Sequence, residues 1–210
     1  MLFRSEKYLS TIFPRVVRFQ KNCRRLTELG FTTMAVKEIF DFPEGNCHVV
    51  IYPMIEGEAL SDYLDGKANE SSKKGMLMRT AAYYGKLHDQ GVYCRPTHFR
   101  NIIICPDSEF ALIDVQNIRF RKFSLDLWTR SRNFKYILKY KENLNQVIMF
   151  GAKNFFDCYM TQCQMGEQKQ RIFLALLRRN VPDLFHQGEN ADFRSDFRSD
   201  FRSDFRSGPV

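Results

Sequence analysis

Apolar positions recur at steps of three and four in two stretches of the N-terminal half, which is the spacing of amphipathic helices. The first stretch covers residues 13–29 and stops at Gly30, and the second covers residues 74–90 and stops at Gly91. His88 lies on the apolar face of the second stretch, so we expect a buried histidine with hydrogen-bond partners there. The apolar positions are Val16, Phe19, Cys23 and Leu26 in the first helix, and Leu77, Ala81, Tyr84 and Leu87 in the second.

The C-terminal half continues with helical spacing. Residues 125–140, 143–165 and 167–179 each predict a helix, and Asn180 with Pro182 ends the last one. In the first of these we expect the basic side chains to face outward. The positions expected to face the core are Trp128, Phe134 and Ile137 in the first helix and Ile172, Ala175 and Leu176 in the last.

Short apolar runs predict strands between these helices. Residues 34–42 and 47–52 read as two strands joined by a turn at residues 43–46, and the second run is apolar on both faces, which predicts a central strand. After Gly91 a polar loop, residues 94–100, leads to another pair of runs. Residues 102–104 and 110–113 predict a buried hairpin with its turn at residues 105–109.

Polar side chains stand at the two open ends of this second hairpin. Asn101 precedes its first strand and Asp114 follows its second. Because the open ends of a hairpin lie side by side, the oxygens of both side chains can converge on a hard cation such as Mg²⁺. A cation held there can bridge the phosphates of a nucleotide. The sequence therefore predicts a site for Mg²⁺ and a nucleotide at this place.

Composition limits the other classes of protein. The chain has 210 residues, 44% of them hydrophobic and 20 of them Phe, which is enough for one domain or a small two-lobed fold. Six cysteines show no metal-finger spacing, no run is apolar enough to span a bilayer, and the first ten residues are too polar for a signal peptide. These features predict a cytoplasmic protein with reduced thiols.

The net charge of +8 is concentrated in one segment. Residues 118–141 hold eight Lys or Arg against the single acid Asp126. Such a segment favours an anionic partner, which could be a phosphorylated sugar lipid, an acidic membrane surface or nucleic acid. No nucleic-acid-binding signature accompanies it, so nucleic acid is the least favoured. The alternative is a solvated helix face without a partner.

The order of these motifs resembles that of a known superfamily. Residues 94–101 read CRPTHFRN and residues 114–116 read DVQ, and they resemble the catalytic-loop and metal-loop motifs of protein-kinase-like phosphotransferases. Within that superfamily the chain resembles the bacterial lipopolysaccharide core kinases that act on Kdo and heptose. The resemblance covers residues 2–140.

This resemblance implies an α+β, protein-kinase-like two-lobed fold and an ATP- and Mg²⁺-dependent enzyme. The small lobe would lack its first strands and glycine-rich loop. The implied domains are a partial small lobe (residues 1–56), a helical large lobe carrying both loops (57–190), and a disordered tail (191–210) in which Asp-Phe-Arg-Ser repeats four times. The implied acceptor is a sugar hydroxyl of the lipopolysaccharide core or another anionic glycolipid, reached at the cytoplasmic face of the inner membrane.

The resemblance also assigns roles to residues. Asn101 and Asp114 would hold Mg²⁺ and the nucleotide, and Arg95 would neutralise phosphate charge. Met54 or Ile55 would cover the adenine ring in a hinge; an ordinary linker is the alternative.

The position of the usual catalytic aspartate is occupied by Pro96, whose side chain accepts no proton. His98, two residues on, could act as the base, or its ring could instead hydrogen-bond the loop backbone and hold its shape. Three functions therefore stay open: phosphate transfer to the sugar, a catalytically inactive pseudokinase that binds a nucleotide or an anionic lipid, and a structural or membrane-surface adaptor that uses only the basic segment.

Overall fold

The protein is a mixed α+β one with small sheets. The structure, a computed structural model, describes residues 2–4, 15–42, 47–95 and 98–185. The repeat tail lies outside these residues. The described residues fall into two compact units, the first drawn from residues 1–67 and 90–123 and the second from residues 68–89 and 124–210. The division of the chain at residues 56 and 190 stays a prediction.

The strands of the described residues all belong to the first unit and form three sheets. One sheet has the order β1-β4-β3, a second has the order β2-β8-β7-β5, and β6 pairs with β9. The predicted central position of the strand after residue 46 is confirmed, since β4 lies between β1 and β3. The strands are β1 (Leu2–Arg4), β2 (Thr32–Thr33), β3 (Glu38–Phe42), β4 (Cys47–Ile51), β5 (Glu58–Ala59), β6 (Val92–Tyr93), β7 (Ile102–Ile104), β8 (Phe110–Leu112) and β9 (Arg119–Phe120).

The predicted hairpin is the antiparallel pair β7–β8. Ile102 lies opposite Leu112 and Ile104 opposite Phe110, so both strands keep one register to their ends. The turn closes through a hydrogen bond from the amide of Cys105 to the carbonyl of Glu109, at 2.9 Å. All of β8 is buried, because β2 pairs with it in parallel on its other side.

Two helices complete the first unit, α1 (Arg15–Glu28) and the short α2 (Leu60–Asp65). The predicted apolar face of α1 is confirmed, since Val16, Phe19, Cys23 and Leu26 are all buried. Gly30, at a φ of 82°, follows its end as expected of a left-handed helix terminus.

The second unit is helical in its described residues. The predicted burial of His88 is confirmed: its ring is fully buried and bonds to Tyr159 and Asn133, at 2.7 and 2.9 Å. Phe134 lies at the centre of an aromatic core and meets the ring of Tyr159 edge-on, with the ring centres 4.8 Å apart. The helices are α3 (Glu70–Asp89), α4 (Leu127–Ile137), α5 (Lys141–Met149), α6 (Ala152–Gln162) and α7 (Glu167–Asn180).

The structure corrects three predictions about these helices. The stretch predicted as one helix over residues 143–165 is two helices that meet at Gly151, whose φ of 105° no continuous helix accommodates. The core face of α7 is one residue later than predicted: Phe173 and Leu177 are buried, whereas Ile172 is 46% exposed and Ala175 is exposed.

The third correction concerns α4, where Trp128 is 40% exposed and Arg130 is buried. The prediction that aromatic side chains face inward and basic ones outward is therefore wrong at both positions. Arg130 is buried because its guanidinium finds partners there: it donates to the carboxylate of Asp89 and to the carbonyl of Leu125, each at 2.6 Å. A buried guanidinium with such partners is tolerated where an unpaired one is not.

Candidate functional site

The side chains of Asn101 and Asp114 are in contact at the open end of the β7–β8 hairpin. Asn101 ends a single 3-10 turn before β7, and Asp114 follows β8. The amide of Ile113 donates to the carbonyl of Asn101 at 3.0 Å, which fixes the two backbones side by side. The Asn101 Nδ2 then donates to Asp114 Oδ2 at 3.3 Å. The pairing expected from the hairpin pattern thus brings both side chains to one place.

Asp114 has an uncommon backbone conformation. Its φ of 58° and ψ of 46° are left-handed, a region that Asp and Asn enter more readily than most residues. This conformation reverses the chain directly after β8 and starts the 3-10 helix Val115–Asn117. The Asp114 carboxylate is exposed at this reversal, where a ligand from solvent can reach it.

Gln116 adds a third polar group that the sequence reasoning did not single out. Its Nε2 donates to Asp114 Oδ1, while its Oε1 is buried without a hydrogen-bond partner. The only sequence signal was its place two residues after Asp114, in the DVQ motif. The Gln116 Nε2 is bonded to the carboxylate, whereas its Oε1 is unsatisfied, so a ligand that donates a hydrogen bond or a metal ion could bind to this oxygen.

The donor chemistry of this cluster fits a hard cation. Asn101, Asp114 and Gln116 each carry a side-chain oxygen, and in the structure the Asp114 carboxylate accepts from the two amide nitrogens. Turning the two amides over would place an amide oxygen, instead of a nitrogen, at each contact with the carboxylate. Mg²⁺ typically takes one or two carboxylates and completes its shell with water and phosphate oxygens. Among the described residues no group of three His, Cys, Asp or Glu forms a metal site of the other kinds.

Helix α1 holds this cluster in place from the side. Asn22 is buried, and its Nδ2 donates to the carbonyls of Val115 and Ile118, at 2.8 and 3.0 Å. One side chain thereby fixes both ends of the 3-10 helix that carries Gln116. The role of Asn22 is not predictable from the sequence, because Asn22 is a polar residue beside an apolar helix face and its partner Val115 lies 93 positions away.

The loop between β6 and β7 holds two further predicted site residues, Arg95 and His98. His98 caps the 3-10 turn Phe99–Asn101, and its Nδ1 accepts from the amide of Arg100 at 3.0 Å. This is the backbone contact that the sequence left open as an alternative to proton transfer. Arg95 is half-buried in the same loop, and Pro96 lies outside the described residues.

The hinge prediction falls on an extended stretch between β4 and β5. Met54 is 86% exposed and Ile55 is half-buried. Tyr52, just before them, packs on Phe19 with ring centres 5.9 Å apart. Burial raises the pKa of Tyr52, and the nearby Cys23 thiol and the Asp114 carboxylate raise it further. An apolar residue as exposed as Met54 is available to cover a flat ligand.

Comparisons with known proteins add little to this geometry. No protein-family model matches the chain, and no curated protein matches it. Solved structures do match. One of them is the bifunctional kinase-methyltransferase WbdD, with 15% identity and a TM-score of 0.43 over 83% of this chain. The chain spans 44% of the length of that protein. A likeness of this degree decides neither fold family nor function.

Two general predictions, on membrane spans and on cysteines, can be compared with the structure. None of the helices in the described residues is long and apolar enough to cross a membrane. The five cysteines whose side chains the structure describes are thiols rather than disulfide partners.

In the basic segment, Arg121 and Lys122 of the first unit are exposed, and so are Arg132, Lys135, Lys139 and Lys141 of the second.

Proposed function

We propose that this chain has a kinase-like two-lobed fold, binds ATP with Mg²⁺ and phosphorylates a sugar hydroxyl of the lipopolysaccharide inner core. The observation that carries the proposal is the contact of Asn101 with Asp114 at the open end of the β7–β8 hairpin, 3.3 Å apart. A carboxamide and a carboxylate held together by two short strands are a suitable pair for a metal–nucleotide complex.

Each residue around this pair has a separate role in binding or positioning the substrates. Asn101 and Asp114 would hold Mg²⁺, with Gln116 as a third oxygen donor. Mg²⁺ held by these residues would supply the positive charge that neutralises the nucleotide phosphates. Arg95 adds a fixed positive charge, Met54 or Ile55 covers the adenine, and His98 receives the proton of the acceptor hydroxyl. Phosphoryl transfer depends mainly on positioning and charge, so a site without the usual aspartate base is compatible with slow transfer.

Exposed positive charge supports the proposed acceptor and place of action. Exposed basic side chains occur in both units, among them Arg121, Lys122, Arg132 and Lys135. Each suits a phosphorylated glycolipid at an anionic membrane surface, where a Lys or Arg contributes about 1 kcal/mol of attraction. We propose peripheral contact with the cytoplasmic face of the inner membrane on this ground.

A pseudokinase that binds nucleotide or anionic lipid without transfer is the second candidate. Pro96 stands where the base is expected, and the Nδ1 of His98 is engaged by the amide of Arg100 at 3.0 Å. A ring whose Nδ1 accepts from the backbone braces the loop, which is enough for binding and not for catalysis.

Nucleotide binding is tested by thermal shift with Mg-ATP. Ligand at 100 times its dissociation constant stabilises a folded protein by about 2.7 kcal/mol, a clear rise in melting temperature. We expect the rise in the wild type and in Asp107→Ala, a matched control because Asp107 lies in the turn at the opposite end of the same hairpin. We expect no rise in Asp114→Ala. An equal rise in all three proteins would exclude the Asp114 site.

Transfer is then tested with labelled ATP and lipopolysaccharide core as acceptor. Label that the wild type transfers to the core and Asp114→Ala does not transfer supports the kinase activity. A thermal shift without any label in the core supports the second candidate.

A further inference from the structure

Three arginines from three separate segments of the first unit line one cavity. Arg18 comes from α1, Arg95 from the loop after β6, and Arg119 from β9. The cavity has a volume of about 450 Å³. Its lining residues are Arg18, Asn22, Arg95, Gln116, Asn117, Ile118 and Arg119.

The charges of this lining are unbalanced. Three lining residues are cationic, and none of the described residues that line the cavity is acidic. Like charges gathered around one concave space repel one another and raise the local concentration of anions. The charge pattern therefore indicates an anionic ligand.

The neutral part of the lining is rigid and polar. Asn22 clamps the carbonyls of Val115 and Ile118, at 2.8 and 3.0 Å, so the turn that carries Gln116 and Asn117 is fixed before any ligand arrives. Amide side chains on a fixed turn can hydrogen-bond hydroxyl groups beside an anion. The wall thus offers charge on one part and neutral hydrogen-bonding groups on another.

We infer that this cavity binds a phosphate monoester that carries a sugar-sized polar body. Guanidinium groups match phosphate oxygens through paired N–H donors, and three of them suit a dianion better than a single carboxylate charge. The volume lies in the range of about 300 to 1,000 Å³ typical of small-molecule sites, so the phosphate leaves room for the group attached to it.

The inference does not rest on nucleotide binding at Asp114. Asp114 does not line the cavity, although Gln116 touches both places: it bonds to the Asp114 carboxylate and lines the cavity. The same chemistry can come from a free sugar phosphate or from the phosphate of a lipid headgroup.

Calorimetric titration of the full chain with glucose 6-phosphate, and with glucose as the uncharged control, tests the inference. We expect glucose 6-phosphate to bind and glucose not to bind. Arg18→Gln and Arg119→Gln should each weaken binding about tenfold or more, since each removes a charge-assisted hydrogen-bond donor. Arg121→Gln is the matched control: it is exposed, lies two residues from Arg119 and does not line the cavity, so it should bind like the wild type.

Two further readouts separate a binding role from a structural one. Binding should tighten as the pH rises through about 6, where a phosphate monoester becomes a dianion. Without ligand, Arg18→Gln should melt at the wild-type temperature or above it, because the substitution relieves repulsion. Asp114→Ala should keep glucose 6-phosphate binding while it loses Mg-ATP, so the two sites fail separately.

The source of the phosphate is tested with vesicles that contain phosphatidic acid, whose headgroup is also a phosphate monoester. Binding to these vesicles, but not to glucose 6-phosphate, that is lost in Arg18→Gln would overturn the sugar-sized part of the inference and identify a lipid phosphate instead. Binding to glucose 6-phosphate identifies the soluble source. No binding of either probe, equal loss in Arg121→Gln, or loss in Asp114→Ala would overturn the inference.

Discussion

The buried guanidinium of Arg130 provides a quantitative test of the second unit. Its side chain is 6% exposed, and it donates to Asp89 Oδ1 and the carbonyl of Leu125 at 2.6 Å, to the Cys163 thiol at 2.9 Å and to the Tyr159 hydroxyl at 3.3 Å. We expect Arg130→Met, which keeps an unbranched apolar stem and removes the donors, to destabilise this unit strongly.

The magnitude follows from what the substitution leaves behind. The carbonyl of Leu125 loses a donor in a dry environment, which costs about 1 to 3 kcal/mol. The Asp89 side chain is 36% exposed, so water can replace part of its lost partner and reduce that cost. The Tyr159 hydroxyl keeps its contact with His88 and adds little. The sum is a loss of about 3 kcal/mol in the free energy of unfolding.

Urea unfolding followed by the fluorescence of Trp128 measures this loss, because Trp128 is the single tryptophan and lies on the same helix as Arg130. Arg132→Met is the matched control: the same substitution two residues away, at an exposed position, should change stability by less than about 0.5 kcal/mol. Asp89→Asn should cost about 2 kcal/mol alone and almost nothing when added to Arg130→Met. Equal losses at positions 130 and 132, or additive losses at 89 and 130, would refute this account.

Three other substitutions test the fold at single positions. Gly57→Ala should lower the free energy of unfolding by about 3 kcal/mol or more, because Gly57 has a φ of 143° and an added Cβ would clash with the carbonyl of Ile104. Gly75→Ala should raise it by about 0.5 to 1 kcal/mol, because Gly75 lies in α3 and an added Cβ would meet no neighbouring atom. Thermal denaturation measures both changes. Burial lowers the pKa of His88 to about 3 from its ordinary 6.5, so the unfolded chain takes up the proton first. The free energy of unfolding should therefore fall below pH 6.5, by at most about 1.4 kcal/mol per pH unit, and His88→Gln should remove this contribution; an identical pH profile in His88→Gln would contradict it.

Periodicity predicted the elements whose burial follows from their own sequence. The apolar face of α1 is predictable because its apolar residues recur at steps of three and four, and the β7–β8 hairpin because two short apolar runs flank a turn. The core face of α7 was placed one residue early because Ile172 and Phe173 are adjacent and both apolar, so spacing alone does not select between them. Only packing against the aromatic core, in which Phe173 lies near Tyr159, decides it.

In the candidate site, too, contacts between residues close in the sequence are predictable and contacts between distant segments are not. Asn101 and Asp114 could be paired from the sequence because one hairpin connects them and its register fixes their separation. Arg18, Arg95 and Arg119 could not be grouped, since α1, a loop and β9 meet only in the folded chain.

Asn22 explains why this distant information matters for function. It gives up both amide hydrogens to the carbonyls of Val115 and Ile118, so the position of the turn that follows Asp114 depends on helix α1. Arg18 lies one helical turn before Asn22 on the same helix and lines the cavity beside that turn. A shift of α1 would consequently move an arginine of the cavity and the amide of Gln116 together. The Asn101–Asp114 pair and the arginine cavity therefore share one support, although no short motif in the sequence joins them.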